Sequence, residues 1–170
     1  MKTWFECKAR YDKEQENGNI KTVNELYMID AVTFTDSEER INKELSEYIS
    51  GEFSISKISR SRITEIIDDY NGEWWYKLKV GFKDIDQKSG KEKVSSEQVL
   101  ISADNLKQAY EIMEERLKTV LIPWTIQSIA ESPVMDVFYY TEAEFDTKQA
   151  NKKKIESVEK EEVEEEEFED

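Results

Sequence analysis

Trp4-Phe-Glu-Cys-Lys-Ala-Arg-Tyr11 is answered 71 residues later by Trp75-Tyr-Lys-Leu-Lys-Val-Gly-Phe82, and the landmarks behind each copy recur in the same order. Gly18 returns as Gly90, and Tyr27-Met-Ile-Asp-Ala31 returns as Val99-Leu-Ile-Ser-Ala103, both at an offset of 72. Phe53-x-Ile55-x-x-Ile58 and Ile63-x-Glu65-Ile66-Ile67 return at 71 as Trp124-x-Ile126-x-x-Ile129 and Val134-x-Asp136-Val137-Phe138. Self-similarity sustained over this length is an internal duplication, and it sets the architecture before any single element is read.

Within each half the reading is strand, turn, strand, helix, long strand. Phe5, Cys7, Ala9 and Tyr11 alternate with Trp4, Glu6, Lys8 and Arg10, the period-2 pattern of a half-buried strand. Glu16-Asn17-Gly18 supplies a turn because Asn-Gly accepts positive φ cheaply, and a second strand runs over about 20–30. Thr35 is expected to cap the first helix with Glu38 completing a capping box, and Ile41, Leu45 and Tyr48 form its apolar stripe. The second helix is expected after Ser102, over about 104–120, with Leu106, Ala109, Tyr110, Met113 and Leu117 inward. Gly51 and Pro123 mark the helix ends. The β-rich segments 52–68 and 124–140 follow, and polar or proline residues near Ser59-Arg60-Ser61 and Glu131-Ser132-Pro133 leave each open to bending into two strands.

The fold class is therefore α+β: two tandem pseudo-symmetric ββαβ repeats, about 3–70 and 74–140, forming antiparallel sheets packed on two helices in one domain over residues 1–140. If the long segments bend, reading from Phe53 gives one unit of four strands and a helix, and the C-terminal strands join the N-terminal hairpin to complete the other. Residues 141–170 are expected to be a linker and a disordered acidic tail, since Glu159 to Asp170 is acidic low complexity without enough apolar surface to bury.

The net charge is −15, and residues 1–150 alone carry 29 acids against 20 bases. A general electrostatic attraction to nucleic acid is excluded, so any such binding needs a local basic stripe. No apolar run is long enough for a membrane span and no secretory signal opens the chain, which leads us to expect a cytoplasmic protein. The single cysteine, Cys7, reads as a small buried hydrophobe, and no disulfide framework can form.

Histidine is absent, which removes the commonest general base and metal ligand, and no phosphate loop, nucleophile elbow or metal-ligand spacing is present. We expect a non-enzymatic protein without cofactor or metal. Asp84-x-Asp86 before Gly90 misses the spacing of a calcium loop and reads as hairpin turn chemistry. Glu65 and Asp136 occupy equivalent positions; they either face one another across the pseudo-twofold as a carboxylate pair or lie on solvated strand faces.

Parity yields the more informative constellation. If Tyr76, Leu78, Val80 and Phe82 face the core, Trp75, Lys77 and Lys79 share the opposite face, as Trp4, Lys8 and Arg10 do in the first half. Arg60 and Arg62 add positive charge on the next strand, where Lys57 joins only if a bulge intervenes. Indole rings accept stacked bases and lysine or arginine tracks the backbone, the chemistry of sequence-tolerant single-strand binding. The plainer reading has both tryptophans as strand ends covered by a loop or partner subunit, with lysines that only blunt an edge. Glu164-Glu-Glu-Glu-Phe168-Glu-Asp170 places one aromatic in an acidic terminus and resembles the tails of phage and bacterial single-stranded DNA-binding proteins, or else serves as a solubilising extension.

The opening Trp4-Phe-Glu-Cys-Lys-x-x-Tyr11, with Ile49-Ser-Gly-Glu-Phe53 and Met135-Asp-Val-Phe-Tyr139, resembles an uncharacterised family of gut bacteria and their phages across about residues 3–140. The resemblance carries no known activity and implies a phage or mobile-element setting. At fold level, duplicated sheet-plus-helix units resemble the Whirly and PUR-type nucleic-acid binders, with the repeat circularly permuted here. The expected function is single-stranded DNA binding in recombination or replication. Trp4 and Trp75 would stack bases, Lys8, Arg10, Arg60, Arg62, Lys77 and Lys79 would meet phosphates, and Phe168 would engage a protein partner. The alternatives are an acidic inhibitor or DNA mimic that occupies a host protein, and a nucleotide-sequestering protein with a pocket between the halves. Homo-oligomerisation is left open.

Overall fold

The computed structural model describes residues 3–140. The first half comprises β1 (Thr3–Glu14), β2 (Ile20–Ala31), α1 (Phe34–Tyr48), β3 (Phe53–Arg60) and β4 (Ile63–Ile67). The second comprises β5 (Trp74–Ile85), β6 (Glu92–Ala103), α2 (Leu106–Leu117), β7 (Trp124–Ser132) and β8 (Val134–Phe138). Both hairpins turn as their polar residues demand. Gly18 (φ 80°) and Gly90 (φ 66°) take the left-handed conformation, and their amides donate to the carbonyls of Gln15 and Asp86. The Asp86 carboxylate accepts from the amides of Lys88 and Ser89, which hold its pKa below the usual carboxylate value; it closes the turn.

Both long segments bend, at equivalent serines. Ile63 N donates to Ser61 Oγ at 3.1 Å and Val134 N to Ser132 Oγ at 3.4 Å, a local side-chain bond that competes with strand continuation. Each bend swings the short strand that follows onto the other half's sheet. The two four-stranded sheets run β3-β1-β2-β8 and β4-β6-β5-β7. The permutation point therefore falls between β3 and β4, and between β7 and β8, one strand later than a unit beginning at Phe53. In each sheet a central strand pairs antiparallel with both neighbours, β1 with β2 and β3 and β5 with β6 and β7, and the exchanged strand adds in parallel, β8 to β2 and β4 to β6. Neither half can complete its sheet without the other.

The core divides into three clusters. One face of the first sheet (Phe5, Cys7, Ala9, Ile29) packs on Ile41 and Leu45 of α1, and the matching face of the second (Tyr76, Leu78, Val80, Ile101) packs on Ala109, Met113 and Leu117 of α2. The opposite faces meet in a smaller cluster, the seam, built on Met28, Ile63, Leu100, Val134 and Val137. The layers thus run helix, sheet, sheet, helix. No described helix is long and apolar enough to cross a membrane.

Both helix starts differ from expectation. Thr33 caps α1, its Oγ1 accepting from Asp36 N while Asp36 Oδ2 accepts from Val32 N. Asn105 caps α2, its Oδ1 accepting from Gln108 N while Gln108 Oε1 accepts from Asp104 N. The box at Thr33-x-x-Asp36 thus wins over the one at Thr35-x-x-Glu38, and such caps contribute about 1 kcal/mol each. Tyr48 lies outside the core at 63 % exposure, its ring edge against Phe138.

The halves diverge most where β2 meets α1. Arg40 is buried, its Nη1 donating to the Asp30 backbone oxygen and, at 3.1 Å, to Asp30 Oδ1, with its guanidinium 3.4 Å above the Tyr140 ring. Tyr140 N donates to Asp30 Oδ1 at 2.7 Å, and the Tyr140 hydroxyl donates to Asp36. The counterparts of Asp30 and Arg40 are Ser102, whose Oγ donates to the Gly72 backbone oxygen at 3.1 Å, and Ile112, which packs in the α2-side core, so the second half has no ionic knot at this place.

Candidate nucleic-acid interface

The inner face of each sheet, turned from its helix, changes character along the strand. Trp4 and Trp75 are half-buried and pack with Leu26 and Ile66 against the seam; Trp4 also meets Tyr139 edge-to-face at 5.5 Å between centroids. The tryptophans thus belong largely to the contact between sheets, close to the covered-strand-end reading. Beyond the seam the same faces become polar and exposed. Lys8 and Arg10 lie on the first, and Lys77 and Lys79 on the second.

A bulge determines which other cations join them. The β1–β3 register shifts by one between Lys8 and Ala9, with Ser56 as the extra residue and its Oγ donating to Lys8 O at 3.2 Å. Unshifted pairing would oppose Arg60 to Trp4. With the bulge, Lys57 stands opposite Lys8 and Arg60 opposite Phe5, on the helix-side face. Arg60 is therefore separated from the basic face, and Lys57 takes its place. Arg62 is exposed in the crossover between β3 and β4. The same shift recurs between Lys79 and Val80, where Gln127 is the extra residue. Lys8 and Lys79 are thus equivalent lysines, each at a bulge on the central strand of its sheet.

Lys77 lies between Leu100 and Ala130, and Lys79 between Gln98 and Ser128. No carboxylate neighbours them in register. Among the described residues Lys8, Arg10, Lys57, Lys77 and Lys79 form no ion pair, whereas Lys13, Lys83, Lys107 and Lys118 each do. The first track is more mixed. Glu6, which accepts from Ser61 Oγ, and Asp12, which accepts from Thr22, share its face. The second is the more uniformly basic surface.

The two equivalent carboxylates do not form a pair across the pseudo-twofold. Glu65 is bonded by Arg116 of α2, whereas Asp136 stands in register with Tyr27 on the α1 side of the first sheet. Alternation turns each toward its own helix, on the face away from the seam. Met28, Ile63, Leu100, Val134 and Val137 fill the space between the halves. A shallow depression lined by Arg10, Asp12, Thr22, Glu52 and Ser54 lies at the far end of the first sheet. Burial, with Glu6 adding, pushes the Cys7 thiol up to about 12. Phe168 and the acidic tail lie outside the described residues.

Residues 3–140 match the model of a domain of unknown function, DUF4494, and the chain belongs to that family. No curated protein and no solved structure matches it.

Proposed function

We propose that this member of the DUF4494 family is a non-enzymatic single-stranded DNA-binding protein acting in recombination or replication, in a phage or mobile-element setting. The observation that supports this most is the inner face of β5. Lys77 and Lys79 are exposed and without ion pairs among the described residues, flanked by Gln98, Ser128 and Ala130 rather than by acids. A polyanion laid along this face meets cations with no carboxylate to displace. Lys8, Arg10 and Lys57 form the weaker second track. Trp75 and Trp4, half-buried at the seam end of each track, leave part of each ring open to a terminal base. The tail competes for the same cations, and Phe168 recruits a protein partner.

Fluorescence anisotropy of labelled oligo-dT at two salt concentrations, with the full chain and a version ending at Ala150, tests the reading. Salt-sensitive binding that strengthens on truncation supports it, and no binding by either chain rejects it.

The acidic-mimic reading draws on Glu38, Glu39 and Glu47, exposed on α1. Asn42, Lys43 and Ser46 interrupt that surface, which argues against an ordered array of carboxylates.

A further inference from the structure

Sheet edges present unpaired backbone groups, and proteins guard them with short strands, charges, proline or bulges. The edges here are β3, β8, β4 and β7. β4 and β8 are 5 residues each. β3 carries Lys57 near its middle and Arg60 at its end. β7 runs 9 residues and has neither charge nor proline from Trp124 to Ala130; its exposed side chains there are Thr125, Gln127, Ser128 and Ala130. Both long edges carry a bulge, so the bulge does not distinguish them. Immediately before β7, Leu121 is 100 % and Ile122 39 % exposed, apolar surface at the end of the same edge.

We infer that β7 is a self-association edge, along which two copies of the chain pair antiparallel and join their second sheets into one. The charge pattern selects a second copy as the occupant. In a full-length antiparallel pairing centred on Ser128, the two Glu131 carboxylates fall toward opposite ends, each near the partner's Thr125. Self-pairing of β3 would instead bring two copies of Lys57 together near the middle. The paired strands span about 30 Å at ~3.3 Å per residue. Pairing leaves the faces of Lys77 and Lys79 uncovered and puts two such tracks on one continuous sheet. The inference does not depend on what those tracks bind.

Sedimentation equilibrium of the full chain, with Ser128→Glu beside it, is the test. Ser128 is exposed and stands opposite Lys79 within its own sheet, so the substitution suits the fold while placing like charges at the centre of the dimer. Expected is a wild-type dimer whose dissociation constant rises at least tenfold in Ser128→Glu. A wild-type chain that stays monomeric at the highest concentration reached, or an equally tight dimer in the variant, overturns it. Should Ser128→Glu fail to fold, amide exchange along β7 in the wild-type chain decides. Protection must grow with protein concentration, and unchanged protection overturns the inference.

Discussion

Lys8 on β1 stands directly opposite Lys57 on β3, two like charges in one register with no ion-pair partner for either among the described residues. Like charges so placed oppose the ladder by a few tenths to about 1 kcal/mol. The equivalent of Lys57 in the other half is Ser128. Lys57→Ser should therefore raise stability by that amount in urea unfolding while weakening oligo-dT binding in anisotropy. A variant that loses stability, or binds as well as wild type, would show that Lys57 serves packing rather than a ligand.

Two glycines make opposite predictions. A Cβ on Gly72 would lie 2.4 Å from the Ala103 backbone, which cannot retreat, so Gly72→Ala should cost about 1–3 kcal/mol. The nearest atoms to a Cβ on Gly81 belong to the Gln127 side chain, with Nε2 at 2.3 Å, and that exposed amide can swing away. Gly81→Ala should be close to neutral. Thermal melts of the two variants must rank in that order.

Burial separates two ion pairs in the same way. Removing Arg40 takes the buried guanidinium from Asp30 and from the Tyr140 ring, and Arg40→Ala should cost about 3–5 kcal/mol. Arg116 and Glu65 remain partly in water, and Arg116→Ala should cost below about 1 kcal/mol. Equal losses in denaturant unfolding would contradict the buried knot.

Alkaline pH should destabilise the fold. Burial raises the Cys7 thiol from its ordinary 9.0 to about 12, and burial with Glu25 raises the Tyr11 phenol from 10.0 to about 12. Both groups release protons earlier in the unfolded chain. Their contribution is present below pH ~9 and is lost as pH rises toward 12. The melting temperature should fall across that window, less steeply in Cys7→Ala, and native Cys7 should resist alkylation at pH 8. A flat profile to pH 11 or rapid alkylation of the folded protein would refute this.

Much of this was legible in the sequence because it was local. Alternation in β1 and β5, the Gly18 and Gly90 turns, and the breaks beside Ser61 and Ser132 all follow from near neighbours. What escaped depended on distant partners. Thr33 and Thr35 each precede an acid by three residues, and only the chain's exit from β2 selects the first. Nothing near Ser56 announces its bulge, yet that one extra residue brings Lys57 onto the basic face and takes Arg60 off it. The sheet that β4 and β8 join, and hence the burial of Trp4 and Trp75 against the seam, depends on the fold as a whole. So does the knot of Asp30, Arg40 and Tyr140.

The most direct test of the basic inner face is the salt dependence of oligo-dT binding in Lys77→Glu/Lys79→Glu, beside a control of equal charge, Lys43→Glu/Lys107→Glu, on the helices. The inner-face variant should lose at least tenfold in affinity and about 1.4 from the slope of log affinity against log salt, with the control near wild type. Equal losses in both, or no wild-type binding, would contradict the account.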